Sequence, residues 1–301
     1  MSKLIACVPN FSEGIELALV EEIVAAIKTA LVADLHTDPD HNRSVVTMVG
    51  EPEQVKQAAF ELTERAMQLL DVNNHAGAHP FIGVVDVIPF IPIKGCKMKD
   101  AVDLAHKLGE ELWKKLSLPV FYYGQAAKIK ERKDLPYVRQ GGYAALKREI
   151  GQPHRKPDVG RGLHPTAGAV AVGARNYLIA FNVNLKSNDP DIANSIAQNI
   201  RESSGGLPGV RAIGVDLASR GITQVSINIV DHEKTSLKKV FTEVEEWAKE
   251  YKVKILESEI VGLIPASAAF EGMKEYLKLR SLNKNMTSIT TCNYLPKKPK
   301  F

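Results

Sequence analysis

The sequence predicts an α/β protein, more narrowly α+β, built from two split-βαβ, ferredoxin-like subdomains. Apolar runs rich in β-branched residues alternate with segments whose apolar residues recur at helical spacing. The order strand, helix, strand, strand, helix, strand can be read twice along the 301 residues. We therefore expect two antiparallel sheets that face a substrate cleft, with the helices outside.

The elements of the first half have clear local signals. The first apolar run stops at Pro9, which suits the end of a strand. Pro52 stands in the first turn of the clearest amphipathic helix, and residues 81–93 are apolar on both faces, as in a fully covered strand. In chain order, the predicted elements are strand 3–8, helix 15–30, strands 31–37 and 43–50, helix 51–71, strand 81–93, helix 98–116 and strand 119–124.

The middle of the chain has a different composition. Residues 125–168 are charged, punctuated by Gly and Pro, and poor in branched apolar residues, which favours a functional loop or a linker. The opening pattern then returns from residue 177, with a strand, an Asn-containing loop and a helix. Two strands around a turn, a helix and a final strand follow. The predicted domains are 1–175, 176–282 and a polar, lysine-rich tail over 283–301.

Charge and cysteine content exclude several classes of function. Lys and Arg number 39 against 35 Asp and Glu, a net charge of +4 that is too small and scattered to indicate nucleic-acid binding. Cys7, Cys96 and Cys292 form no C-x-x-C pair, so neither a disulfide framework nor a thiolate zinc site is indicated. The N-terminus lacks a signal-peptide core, and no long apolar run suggests a membrane span. We expect a cytoplasmic protein.

Two histidines, His75 and His79, precede the apolar run at 81–93. Their spacing of four would suit a metal site on a helix, but Gly77 and Pro80 argue against a helix there. The motif also lacks the Glu of H-E-x-x-H zinc proteases. Acid–base catalysis and a plain turn with exposed histidines both stay open at this point.

A second polar loop strengthens the acid–base interpretation. The segment "LHTDPDHNRS" places His36 and His41 among carboxylates such as Asp38 and Asp40. If its strands adjoin the strand after His79, imidazole and carboxylate can meet at the strand ends. A carboxylate fixes the tautomer of a neighbouring imidazole, which suits a proton carrier near neutral pH. The alternative is that these short polar residues only form a turn.

The glycine-rich stretch at 160–175 fits neither G-x-G-x-x-G nor the P-loop pattern, and no G-x-S-x-G occurs. Nicotinamide, flavin and nucleoside triphosphate are therefore not indicated. With Arg161 and His164, the stretch could wrap a flat heterocycle or an anionic tail, and a hinge or linker is the alternative. We expect it to lie between the subdomains and to tolerate Gly168→Val without loss of stability.

Six stretches taken together resemble the glutamate formimidoyltransferases, including the transferase half of formimidoyltransferase-cyclodeaminase. They are "LIACVPNFSEG", "DPDHNRSVVTMVG", "HAGAHPFIGVVDVIPFIP", "PVFYYGQAA", "GARNYLIAFNVNL" and "EIVGLIP". The resemblance implies a one-carbon transferase of histidine degradation that moves a formimino group between N-formimino-L-glutamate and N5 of tetrahydrofolate. It further implies tetrahydrofolate as co-substrate, no metal, a homodimer, and no nucleic-acid or membrane partner.

The resemblance also implies site residues. The catalytic histidine directly precedes the proline of H-x-x-x-H-P and is His79 here. Animal members carry an acidic residue at the position of His36, so its partner is expected to be His36 or Asp38. Because both substrates carry carboxylates, arginines should bind them. The predicted substrate-binding residues are Gly160, Arg161, Gly162, Leu163, His164, Pro165, Thr166, Ala167, Gly168, Arg43 and Arg175.

Three other functions stay open from the sequence. An N-formylglutamate:tetrahydrofolate formyltransferase would hold both ends of its substrates in the same way. A non-enzymatic tandem α/β protein that binds a small ligand would need no acid–base histidine. A metal hydrolase would use His75 and His79 as ligands.

Overall fold

The computed structural model describes residues 3–281 of the chain. These residues form two compact units, and the boundary between them along the chain falls between Asn176 and Tyr177. The polar tail predicted over 283–301 lies outside the described residues. Among the helices of the described part, none is both long and apolar enough to cross a membrane.

The first unit contains one mixed sheet with helices along it. Its strands are β1 (Leu4–Cys7), β2 (Asn10–Phe11), β3 (Leu31–Asp38), β4 (Arg43–Gly50), β5 (Val85–Lys94), β6 (Val120–Gly124) and β7 (Val170–Ala174). Its helices are α1 (Leu17–Ala25), α2 (Pro52–Leu69), α3 (Met98–Leu116), α4 (Leu135–Arg139) and α5 (Gly142–Glu149).

The strand order of this sheet contains the predicted split βαβ arrangement. β1 and β2 both pair antiparallel with β4 and β5, so they act as one strand interrupted at Pro9. β3 pairs antiparallel with β4 at one edge. Beyond β5 come β7 and then β6, both parallel, which the crossover through α3 permits. The sequence did not predict β7, because it lies in the glycine-rich stretch.

The two faces of the sheet are covered differently. The apolar sides of α1, α2 and α3 pack on one face and form the main core with residues such as Ile5, Met48 and Phe90. On the other face, Val138 of α4 and Leu146 of α5 pack near β6 and β7 in a smaller cluster. The functional side chains described below lie at the ends of β2, β3 and β4 and beside β5.

The segment 125–168, for which a linker was one interpretation, belongs to the first unit and carries α4 and α5. Buried arginines anchor it. Arg132 pairs with Asp158 at 2.7 Å, and Nε of Arg155 donates to Glu149 at 2.8 Å. The linker interpretation is wrong because these charged side chains, which sequence patterns assign to solvent, are buried and hydrogen-bonded within the fold.

The second unit has the predicted ferredoxin-like order. Its strands β8 (Ile179–Leu185), β9 (Val210–Leu217), β10 (Ile222–Ile229) and β11 (Ile255–Val261) form an antiparallel sheet in the order β11–β8–β10–β9. Its helices are α6 (Pro190–Ile200), α7 (Leu237–Glu250) and α8 (Met273–Tyr276), and α6 and α7 share an apolar core with the sheet. The predicted α+β fold of two subdomains is confirmed, but the first sheet is mixed instead of antiparallel throughout, because β7 and β6 join it in parallel.

Candidate active site

Three loops of the first unit meet at the candidate active site. The hub is Asn42, whose φ of +46° bends the β3–β4 turn back on itself. Its side-chain oxygen accepts from the Gly14 N–H at 2.9 Å, and its amide donates to the Ala76 carbonyl at 2.9 Å. Gly77 lies so close to the His41 carbonyl that a Cβ would stand 2.4 Å from it. The loops after β2, after β3 and before β5 are therefore held in register.

His41, in the β3–β4 turn, is buried and only 6% exposed. Its Nδ1 lies 3.7 Å from the Asp38 carboxylate. Asp38 is itself fixed, because its Oδ1 accepts from the backbone N–H groups of Asp40 and His41. Nε2 of His41 is buried without a hydrogen-bond partner among the described residues.

His79 stands beside this turn, with its ring centroid 5.7 Å from that of His41 and the planes at 43°. The ring is half-buried. Its Nδ1 lies 2.8 Å from the Pro80 carbonyl. Because a carbonyl only accepts, Nδ1 carries the hydrogen, and Nε2 keeps its lone pair for a substrate.

A buried charge cluster lies behind His79. Asp86 of β5 is fully buried and accepts from Nη1 of Arg43 at 2.8 Å, from the Ile82 N–H at 3.1 Å, and from Arg139 of α4. Arg43 also donates from Nε and Nη2 to Asn10, at 3.0 and 2.8 Å. Two guanidinium groups thus share one carboxylate, and one positive charge is left in excess.

This cluster controls the protonation of its members. Burial lowers the pKa of Arg43 to about 10, although the Asp86 charge opposes that shift. Burial alone would raise the pKa of Asp86, but Arg139 and Arg43 outweigh it and hold that pKa below its usual value. Burial, Arg43, Arg139 and His41 together lower the pKa of His79 well below 6.5. His79 is therefore a neutral imidazole at neutral pH.

The predicted substrate loop at 160–168 is tied to the segment that carries His79. The Val72 N–H donates to the Thr166 carbonyl at 2.7 Å, and Gly83 forms a β-bridge with Gly168. His164 and Gly168 exchange backbone hydrogen bonds at 2.9 and 3.0 Å, which closes a small hairpin. The expectation that this loop lies between the subdomains is wrong, since it is built into the first unit.

Two sequence profiles of one family cover nearly the whole chain. The N-terminal subdomain of the formiminotransferase domain matches residues 4–175, and the formiminotransferase domain matches residues 180–289. The chain belongs to the formiminotransferase family. The resemblance found in the sequence motifs is thereby confirmed.

Individual relatives of this formiminotransferase support the same membership. A glutamate formimidoyltransferase of Streptococcus pyogenes is 40% identical over 94% of this chain and 96% of its own length. A glutamate formimidoyltransferase of Thermoplasma acidophilum is 38% identical over 93% of this chain and 94% of its own length. The formimidoyltransferase-cyclodeaminase of Mus musculus is 39% identical over 92% of this chain and 53% of its own. Among solved structures, a microcompartment protein of Desulfitobacterium hafniense is 9% identical, covers 91% of this chain and 99% of its own, and has a TM-score of 0.22.

In this formiminotransferase, the predicted site residues do not all lie together. His36 is half-buried on β3, in register with Val45, and the ring beside His79 is that of His41 instead. Arg43 is beside His79 but buried in the charge cluster. Arg161 is exposed in the 160–168 hairpin, and Arg175 donates to the Asn176 carbonyl.

Sequence reasoning did not select three residues that the structure places near His79. They are His41, whose ring adjoins that of His79, Arg139, whose charge acts on His79, and Asp86, which is linked to the site through Arg139. His41 carried a usable signal, because it belongs to the same acidic loop as Asp38. Asp86 also stands out as a single acid inside an apolar run, where an unpaired charge would be costly. Arg139 had no such signal in its polar, charged surroundings.

The sequence left open the alternative that His75 and His79 are metal ligands. His75 is half-buried and contacts Phe81 edge-on, with ring centroids 4.5 Å apart. Within residues 3–281, no group of three or more His, Cys, Asp or Glu side chains is arranged so that it could hold a metal ion.

The expectation about Gly168 is also corrected. Gly168 has a φ of +72°, and a Cβ there would stand 2.5 Å from the Ile82 carbonyl oxygen. We therefore expect Gly168→Ala to lower the free energy of unfolding by about 2–3 kcal/mol, from left-handed strain plus the clash. Gly162→Ala is the matched control, with a φ of +64° but open space around it, and should cost about 1 kcal/mol. If urea unfolding shows equal losses of unfolding free energy for the two variants, this expectation is contradicted.

Proposed function

We propose that the chain is a glutamate formimidoyltransferase, which moves a formimino group between N-formimino-L-glutamate and N5 of tetrahydrofolate in histidine degradation. It is an enzyme of one-carbon transfer, with tetrahydrofolate as co-substrate. The observation that carries the proposal is His79, a neutral imidazole with Nε2 available, beside a cationic cluster. It occurs in a chain 40% identical to a glutamate formimidoyltransferase over nearly the full length of both.

The transfer requires that the attacking nitrogen lose a proton and that the departing nitrogen gain one. N5 of tetrahydrofolate attacks the amidine carbon of formiminoglutamate, and a new C–N bond forms. Nε2 of His79 accepts the proton that N5 loses. A proton must then reach the glutamate nitrogen so that the old C–N bond breaks and glutamate leaves as the amine. Because His79 is neutral before the reaction, it can start as the base, and in the simplest scheme it returns the same proton.

The excess positive charge suits substrates that carry several carboxylates. Arg43 uses Nε, Nη1 and Nη2 on Asn10 and Asp86, so it contributes its charge rather than a direct contact. Arg139 is less enclosed, with its side chain 15% exposed. Arg161 and Arg175 stay proposed ligands of the outer carboxylates. An arginine can bind a carboxylate with two parallel hydrogen bonds, which fixes its orientation.

The hairpin of residues 160–168 is the proposed contact for tetrahydrofolate. It lies along the segment that leads to His79, through the bonds from Val72 and Asn73 to Thr166 and Pro165. Aromatic faces stand next to it, because Tyr143 lies beside Gly168 and stacks on Phe81. A flat pterin can stack on such rings. The homodimer remains a proposal from the resemblance, and the cytoplasmic location remains a proposal from the sequence.

An assay with two donors tests the function. Purified protein and tetrahydrofolate are given N-formimino-L-glutamate or N-formyl-L-glutamate, and glutamate release is measured. We expect turnover with the formimino donor. Faster turnover with the formyl donor would make the chain a formyltransferase instead. Folate binding without turnover of either donor would favour the non-enzymatic ligand-binding protein.

The pH dependence of kcat/KM follows from the protonation of His79. Its pKa is lowered by burial first, and then by Arg43, Arg139 and His41. A base must be neutral to act, so activity falls only as pH drops through this lowered pKa. We expect the acidic limb of the kcat/KM profile to lie below pH 6.5. A limb above pH 6.5 would contradict the assignment of His79 as the base.

Arg139→Gln provides a test with a defined sign. It removes one of the cations that lower the pKa of His79, so the acidic limb should move to higher pH. Arg148→Gln is the control, because Arg148 is an exposed arginine of the neighbouring helix α5 and is not among the causes of the His79 shift. The acidic limb of the Arg148→Gln profile should stay at the wild-type position.

A further inference from the structure

Nε2 of His41 is a buried polar atom, and no protein hydrogen bond in the described residues compensates for its loss of hydration. The residue is 6% exposed, and this nitrogen has no hydrogen-bond partner among the described residues. A buried nitrogen without a partner typically costs stability, so its retention calls for an explanation. The backbone that carries the ring is fixed, because Gly77 closes on the His41 carbonyl and the Asn42 amide donates to the Ala76 carbonyl.

The surroundings of the two imidazoles differ in charge. Asp38 is the carboxylate that faces His41, at 3.7 Å from Nδ1. His79 instead faces the cations Arg43 and Arg139, from β4 and α4, and His41 itself. Glu13, in the loop after β2, is an acid that acts on His75. An anionic partner favours a charged imidazole and cationic neighbours favour a neutral one, which is how acid and base roles are separated in a site with two titratable groups.

We propose that His41 is the general acid of the transfer, paired with His79 as the general base. This deepens the proposed function and rests on it. His79 Nε2 takes the proton from N5 as the new C–N bond forms. His41, with the Asp38 carboxylate 3.7 Å from its Nδ1, gives a proton from Nε2 to the glutamate nitrogen as the old C–N bond breaks. The proton then passes from His79 to His41, whose ring centroids lie 5.7 Å apart, by way of solvent water, and both return to their starting states.

Two variants test this against a purely structural role. His41→Gln keeps a polar side chain but cannot carry a proton, and we expect kcat to fall about 10²-fold with KM nearly unchanged. The wild-type kcat profile should be bell-shaped, with an alkaline limb that is lost in His41→Gln because no acid is left to deprotonate. Asp38→Asn leaves the ring in place without its counter-ion, and the alkaline limb should move to lower pH.

His75→Gln is the matched control, a half-buried histidine of the adjacent loop, and should keep the bell shape. Thermal unfolding of each variant separates loss of chemistry from loss of fold. If wild-type protein transfers the formimino group and His41→Gln keeps the alkaline limb, or keeps kcat within twofold, His41 is not the acid. If wild-type protein shows no formimino transfer, the proposed function fails and this inference fails with it.

Discussion

His79→Ala should lower kcat by about 10²–10⁴-fold, the range expected when a general acid–base group is removed. The physical reason is that the structure offers N5 of the acceptor one neutral imidazole whose Nε2 is available, while Nδ1 is committed to the Pro80 carbonyl. Folate affinity should change little, since the charge cluster and the 160–168 hairpin are untouched. Steady-state rates and folate titration of the same preparation measure both quantities.

His75→Ala is the comparison for this variant. His75 packs edge-on against Phe81 and is expected to matter for local packing rather than for the chemistry. Activity of His79→Ala within a few-fold of wild type would remove His79 from the mechanism. An equal collapse in both variants, together with zinc bound to the wild-type protein, would favour the metal hydrolase instead.

The sequence was sufficient to select His79 and Asp38, but not the residue that connects them. His79 is marked by the proline that follows it, and Asp38 by its place in a polar loop. The position of His41 depends on the left-handed turn at Asn42, which folds the loop back so that the ring is buried. Asn adopts this conformation more readily than most residues, but which neighbour it then buries depends on tertiary contacts.

Asp86 illustrates a second limit. The apolar run of β5 was readable from the sequence, and the strand Val85–Lys94 overlaps the one predicted over 81–93. The partners of Asp86, however, come from positions 43 and 53 residues away, Arg43 and Arg139. Local patterns carry no information on such pairings. An acid within an apolar run does predict that some buried cation exists, because an unpaired carboxylate in the core would be too costly.

Asp86→Asn should lower the free energy of unfolding by about 3–5 kcal/mol, the usual cost of removing one partner from a buried ion pair. The amide is nearly the same size, so the main change is the loss of the negative charge. Arg43 and Arg139 would then remain close together as cations with no carboxylate between them. The extra repulsion should also lower the pKa of His79 further, because both arginines already act in that direction.

Urea unfolding of Asp86→Asn should be compared with that of Asp103→Asn, which removes an exposed partner of Lys99 and should leave stability unchanged within error. Adding Arg139→Gln to Asp86→Asn should recover part of the loss, since a single buried cation then remains with Asn10 as a hydrogen-bond partner. If Asp86→Asn unfolds at the same urea concentration as Asp103→Asn, the cluster is not a source of stability. Its role would then be limited to the charge that it places beside His79.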